Sequence, residues 1–204
     1  MGLKREREVP GCRPHEAPLV WPAFSRESER EVLSVLRSGR VNYWTGSRGK
    51  AFEAAFASYL GVKKALAVSS GTTALQLALE ALGVGRGDDV VVTAYSFRAS
   101  STCVSNVGAN PIYADVGSDH MLNAATISRV LTPRTKAIVV VHLFGQVADM
   151  GPILALAKKK KLLVVEDCAQ CLGGEYRGKK VGTLGDAGCF SFCHSKHITT
   201  GGEG

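Results

Sequence analysis

Lys196 stands in the stretch CHSKHITT, just past a short run of alternating apolar residues. A lysine near the buried end of a strand is a candidate Schiff-base former, because desolvation lowers the pKa of its amine and frees the lone pair. A lysine on a surface loop is the ordinary alternative. Asp167 closes the apolar run LLVVED. A carboxylate there is costly unless a cation meets it, and neither sequence neighbour is Lys or Arg. A protonated ring nitrogen on a cofactor would suit. A distant Arg, or an N-cap role for the next helix, would also account for it. In SSGTTAL a strand-like run leads into Gly71 and a helix begins at once. Free N–H groups at a helix start make an anion site, Gly71 lets the backbone come close, and Thr72 and Thr73 add hydroxyl donors. Plain capping by Ser70 explains the same residues. The turn has no P-loop lysine and no GxGxxG, so triphosphate and dinucleotide readings are weak.

Taken together, these pieces make a pyridoxal phosphate (PLP) site. The Gly71 turn and Ser191 would hold the phosphate. Asp167 would pair with the pyridinium nitrogen and keep the ring an electron sink. Lys196 would attach the cofactor and later move protons. An aromatic side chain should stack on the ring, and Phe97 in TAYSFRAS sits where one is needed.

Such groups must be held by strand ends. Apolar runs read as strands at KKALAVSS, DVVVTA, NPIYADV, TKAIVVVHLFG, LLVVED and DAGCFSF. Between them lie helical stretches, among them GTTALQLALEALG, RASSTCVSNVG, NAATISRVL and MGPILALAKKKK. This alternation predicts an α/β fold with a mostly parallel sheet covered on both faces. In such sheets ligands gather at the carboxyl ends of the strands, where the candidates fall. Two amphipathic helices come first. SRESEREVLSVL carries Val32, Leu33 and Leu36 at helical spacing, with Ser28 and Glu31 as a capping-box pattern. KAFEAAFASYLG places Phe52, Phe56 and Leu60 on one face and stops at Gly61.

The bulk numbers narrow the class. The net charge of +7 is concentrated in the first fourteen residues and in Lys158–Lys161. The lysine run follows an apolar helical stretch, where cations complement the helix dipole, and no aromatics interleave with it as on a nucleic-acid surface. Residues 1–18 read as a disordered basic tail without the apolar core of a secretory signal. The apolar runs are strand-sized, far short of a membrane span. Six cysteines are too few for a disulfide scaffold in 204 residues and suit a reducing, cytoplasmic setting. Cys168, Cys171, Cys189 and Cys193 do have near zinc-ribbon spacing, C-x2-C-x17-C-x3-C, which keeps a metal or a redox pair as rivals.

Long ordered segments carry a resemblance. VNYWTG, FEAAFASYLGVKKALAVSSGTTALQLALEALGVGRGDDVVVTAYSFRAS, LTPRTKAIVVVHLFGQVADM and LLVVEDCAQCLGGEYRGKKVGTLGDAGCFSFCHSKHITTG are similar to the DegT/DnrJ/StrS family of fold-type I, PLP-dependent sugar aminotransferases. The resemblance implies that Lys196 is the attachment lysine and Asp167 the pyridinium partner. It places Gln170 on the hydroxyl side of the cofactor, and Gly71, Thr72, Thr73 and Ser191 around the phosphate. Phe97 becomes the stacking ring. It implies amino transfer from glutamate or glutamine to a keto-sugar, nucleotide-linked or a cyclitol, in a homodimer. A sister branch that has histidine at the lysine position dehydrates sugars. Here the position is Lys196, with His197 beside it. The family pattern TTGEGG reads TTGGEG in this chain. Members resemble chains nearly twice as long, with a further strand and a C-terminal small domain. Residues 19–204 are therefore expected to form a partial large domain that binds PLP weakly and is inactive alone. A catalytically dead subunit pairing with a longer one is the alternative.

Overall fold

The computed structural model describes residues 21–202 and 204. The basic tail expected over residues 1–18 lies outside them. Among the described residues six helices run α1 (Arg26–Ser38), α2 (Arg48–Leu60), α3 (Gly71–Ala81), α4 (Ala99–Asn106), α5 (Ala124–Val130) and α6 (Met150–Lys160). The strands are β1 (Asp89–Thr93), β2 (Asn110–Ala114), β3 (Thr135–Val141), β4 (Leu163–Asp167), β5 (Glu175–Tyr176), β6 (Lys179–Lys180) and β7 (Ala187–Cys189). Five of them form one sheet in the order β2-β1-β3-β4-β7, every pair parallel. The apolar runs explain it. Val90, Val91, Val92 and Ala137–Val140 are solvent-free because helices cover both faces. One core joins the sheet to α5 and α6, the other to α3 and α4.

Several expectations hold at residue level. Ser70 caps α3, its Oγ accepting from the Thr73 N–H at 3.1 Å. The lysine run does end α6, with Lys161 as the left-handed cap. Others need correction. KKALAVSS is not a strand: a strand exists through its ladder, and among the described residues nothing pairs with this stretch. Its backbone is held by the Ala67 N–H donating to Glu53 Oε1. DAGCFSF contracts to Ala187–Cys189, the part that reaches β4. The first helix is capped by Ser25, not Ser28, whose N–H donates to Ser25 Oγ. Glu31 is drawn instead to Arg48. A complete capping box does occur, at Asn123 and Thr126 of α5. The apolar face of α1 is real, but none of its residues is buried. The β5–β6 hairpin, two residues per strand, is too short to show in a periodicity.

Candidate active site

The ends of β3 and β4, with the segments that follow β1 and β7, meet the starts of α3 and α4 around a cavity of about 670 Å³. Of the eight candidates, Gly71, Thr72, Phe97, Asp167, Gln170, Ser191 and Lys196 line it. Thr73 does not. It faces solvent, and its Oγ1 shares hydrogen bonds with the Ser69 and Ser70 hydroxyls.

Gly71 is where the sequence permits the closest approach. A Cβ there would lie 2.8 Å from the Ser191 Cβ and 3.1 Å from the Phe190 carbonyl. Only glycine lets the N-terminus of α3 abut this chain segment, so helix N–H groups and the Ser191 hydroxyl converge on one corner of the cavity. The segment after β7 is pinned by aromatic packing. Phe190 meets Phe56 edge-on at 5.0 Å, and Phe192 meets Phe52 at 5.2 Å. These are the rings that the helical spacing of α2 had set on one face. The Ser191 Oγ donates to the Gly204 carbonyl at 3.2 Å and accepts from the Cys193 N–H at 3.4 Å. Lys196 follows, half-buried, its N–H donating to the Cys193 carbonyl.

Asp167 forms the floor. It is buried at the end of β4. The Ser100 hydroxyl donates to its Oδ2 at 2.7 Å and the Ala169 N–H to its Oδ1 at 3.1 Å. Among the described residues it has no ion pair with an arginine. Burial pushes its carboxyl up. The Ser100 and Ala169 hydrogen bonds and the charge of Lys196 offset this only in part. A buried carboxyl so placed takes a cation readily. Ser100 is a participant that sequence reasoning missed. Nothing in RASST announces a bond across 67 residues.

Glu166, the next residue back, is also solvent-free. Its Oε1 accepts from the Leu184 and Gly185 N–H groups, both at 2.7 Å. Its Oε2 accepts from Gly182 N–H at 2.9 Å and from His142 Nε2 at 3.0 Å. The Ala148 N–H donates to His142 Nδ1, which fixes the proton on Nε2. Burial pushes the Glu166 carboxyl up, but these bonds outweigh it and the net direction is down.

The metal reading fails on this geometry. Among the described residues, the group of three ligand-type side chains that come within 4.8 Å of one another is His142, Glu166 and Cys168. The four cysteines of the zinc-like spacing do not gather. His142 and Glu166 already spend their donors and acceptors on each other and on backbone. Burial pushes the Cys168, Cys171 and Cys189 thiols up, as for inert buried thiols. The cavity instead joins an amine, a buried carboxylate that forms no ion pair among the described residues, an open aromatic ring and a glycine-tight helix start. That set fits a phosphorylated pyridine aldehyde.

The comparisons with known proteins agree. The model of the DegT/DnrJ/EryC1/StrS aminotransferase family matches residues 22–204, and the chain belongs to that family. GDP-perosamine synthase of Caulobacter vibrioides is 50% identical over 165 residues, covering 79% of this chain and 44% of that protein. L-glutamine:2-deoxy-scyllo-inosose aminotransferase of Streptomyces paromomycinus is 46% identical over 191 residues, 91% of this chain and 45% of its own. Spr1654 of Streptococcus pneumoniae, solved in its PLP form, superposes with a TM-score of 0.85 at 30% identity. That match covers 90% of this chain and 50% of Spr1654. The chain thus spans about half the length of the relatives it matches.

Proposed function

We propose that this chain holds pyridoxal phosphate on Lys196 and serves amino transfer from glutamate or glutamine to a cyclic keto acceptor. That acceptor is a keto-sugar, nucleotide-linked, or a cyclitol ketone. The observation that carries the reading is Asp167: a buried carboxylate with two neutral donors and, among the described residues, no ion pair, in the same cavity as the Lys196 amine. The cofactor, when bound, supplies the electron sink that lets an amino group move between substrates. Asp167 holds a proton and its positive charge on the pyridine nitrogen. Ser100 keeps the carboxylate oriented. The start of α3 with Thr72, together with Ser191, takes the phosphate. Phe97 covers the ring and Gln170 meets its hydroxyl side. Lys196 Nζ would hold the cofactor and, when free, would carry a proton between carbon and nitrogen of the substrate. The exposed apolar face of α1 suits a subunit contact, in keeping with a homodimer or with a longer partner chain. Among the described residues no helix is long and apolar enough to cross a membrane.

The test is an absorbance titration of the chain with PLP, before and after borohydride, beside Lys196→Ala. A cofactor band that borohydride makes permanent in the parent, and that the variant lacks, supports the assignment. A folded parent with no such band contradicts it and favours the non-catalytic subunit.

A further inference from the structure

Two serines connect the cavity wall to Asp167. Ser96 is half-buried and lines the cavity, in the bend between β1 and α4 that also carries Phe97. Ser100, four residues on, is buried and takes no part in the lining. The two hydroxyls meet at 2.9 Å, and Ser100 Oγ donates onward to Asp167 Oδ2 at 2.7 Å. A serine hydroxyl has one proton to give. Ser100 spends its proton on the carboxylate, so Ser96 is the donor to Ser100. The chain runs one way, from the cavity wall to the buried acid.

The ordinary use of a serine just ahead of a helix is to cap it. Ser96 is used otherwise. The N-cap of α4 is Arg98, which makes no side-chain cap bond, and the Ser96 hydroxyl goes to another hydroxyl. The 2.7 Å contact has the length of a charge-assisted O–H···O bond. Hydrogen bonds in series strengthen one another where the dielectric is low. Of the influences that answer the burial of Asp167, Ser100 is the largest. A second hydroxyl aligned behind it adds to that influence without adding a charge.

We infer that Ser96 is a positioning residue for the cofactor: through Ser100 it steadies Asp167 in the ionised form that holds a proton on the pyridine nitrogen. The inference rests on the cofactor reading above and extends it to a residue that acts only through another. The groups around Asp167 leave its titration readable. The Lys196 ammonium stands beyond β7. His142, after β3, accepts the Ala148 N–H at Nδ1, so its ring is neutral. Burial holds the Cys103, Cys168 and Cys189 thiols protonated. Glu166, on the other face of the sheet, titrates in the same range and is the same in every variant used.

Ser96→Thr and Ser96→Val test this, because they match in shape and differ in the hydroxyl, with Ser96→Ala beside them. In the bare chain the ¹³C carboxyl signal of Asp167, assigned by its loss in Asp167→Asn, is followed against pH. It should titrate about half a pH unit higher in Ser96→Val and Ser96→Ala and stay at the parent value in Ser96→Thr. The Kd for PLP, read by absorbance, should rise about threefold in the same two and hold in Ser96→Thr. A serine that only stiffened the bend would change urea midpoints and leave both readings alone. Equal carboxyl titration in Ser96→Thr and Ser96→Val overturns the inference, as does a shifted titration with an unchanged Kd. Where Ser96→Val does not fold, Ser96→Ala against the parent decides. A parent without borohydride-fixed PLP on Lys196 overturns the cofactor reading instead, and the carboxyl titration still decides whether Ser96 acts on Asp167.

Discussion

Glu166 and Asp167 are neighbours at the end of β4, both shut off from solvent, and strand alternation sends them to opposite faces of the sheet. Their surroundings could hardly differ more. Glu166 has three backbone N–H groups and an imidazole, so its charge is fully answered within the protein. It ties the loop Gly182–Gly185 and the end of β3 to β4 and leaves nothing over for a ligand. Asp167 has one hydroxyl and one N–H. The same residue class at the same depth is scaffold on one face and an open valence on the other. Burial alone does not mark a site. An account of donors and charges does.

Removing either carboxylate should expose the difference. Glu166→Ala strands three buried N–H groups and the His142 ring. It should cost roughly 3–5 kcal/mol of stability, read from urea unfolding. Asp167→Asn should change the urea midpoint by less than about 1 kcal/mol, because no protein charge is left unpaired. Its effect should fall on PLP affinity instead, a loss of roughly 2–4 kcal/mol in a spectroscopic titration. A variant pair in which both effects landed on stability would erase the distinction.

Gly71→Ala comes next in size. Its Cβ would press on the Ser191 Cβ and the Phe190 carbonyl, and overpacking of this kind costs about 1–3 kcal/mol. Weaker PLP binding should accompany the lost stability, since the same contact shapes the phosphate corner.

The smallest expected effect, and the one that sharpens the comparison most, is in pH. The Glu166 carboxyl is lowered on folding. Its contribution is complete above the unfolded carboxylate value of about 4.3 and is lost as pH falls through the lower folded value. Asp167 is raised on folding. The folded state then holds a proton that the unfolded chain has released. Stability from this group therefore declines as pH rises from about 3.9 through the higher folded value. Urea midpoints across acid pH should lose the first trend in Glu166→Gln and the second in Asp167→Asn. PLP, by supplying a cation, should abolish the second trend in the parent protein.

The strand-end residues were legible in the sequence because a buried parallel strand must end where its apolar run ends, and ligands meet it there. That logic singled out Asp167 at the end of β4; it also singled out Gly71, although the stretch before it forms no strand among the described residues, and Lys196, which lies beyond the end of β7. It found the carboxylate but not Ser100 beneath it, because their contact spans the chain. Glu166 precedes Asp167 in the same apolar run, and only its four donors set it apart. The stretch from Lys63 to Ser70 had the composition of a strand but lacks a partner among the described residues. Propensity supplies a candidate strand, and pairing decides whether it becomes one.

The most direct measurement is peptide mapping of the chain after PLP and borohydride, by mass spectrometry. The account expects one pyridoxyl group, on the peptide that carries Lys196, and much less of it in Asp167→Asn. A label spread over the exposed Lys158–Lys161 run, or equal labelling in the two proteins, would contradict the claim that Asp167 and Lys196 form one cofactor site.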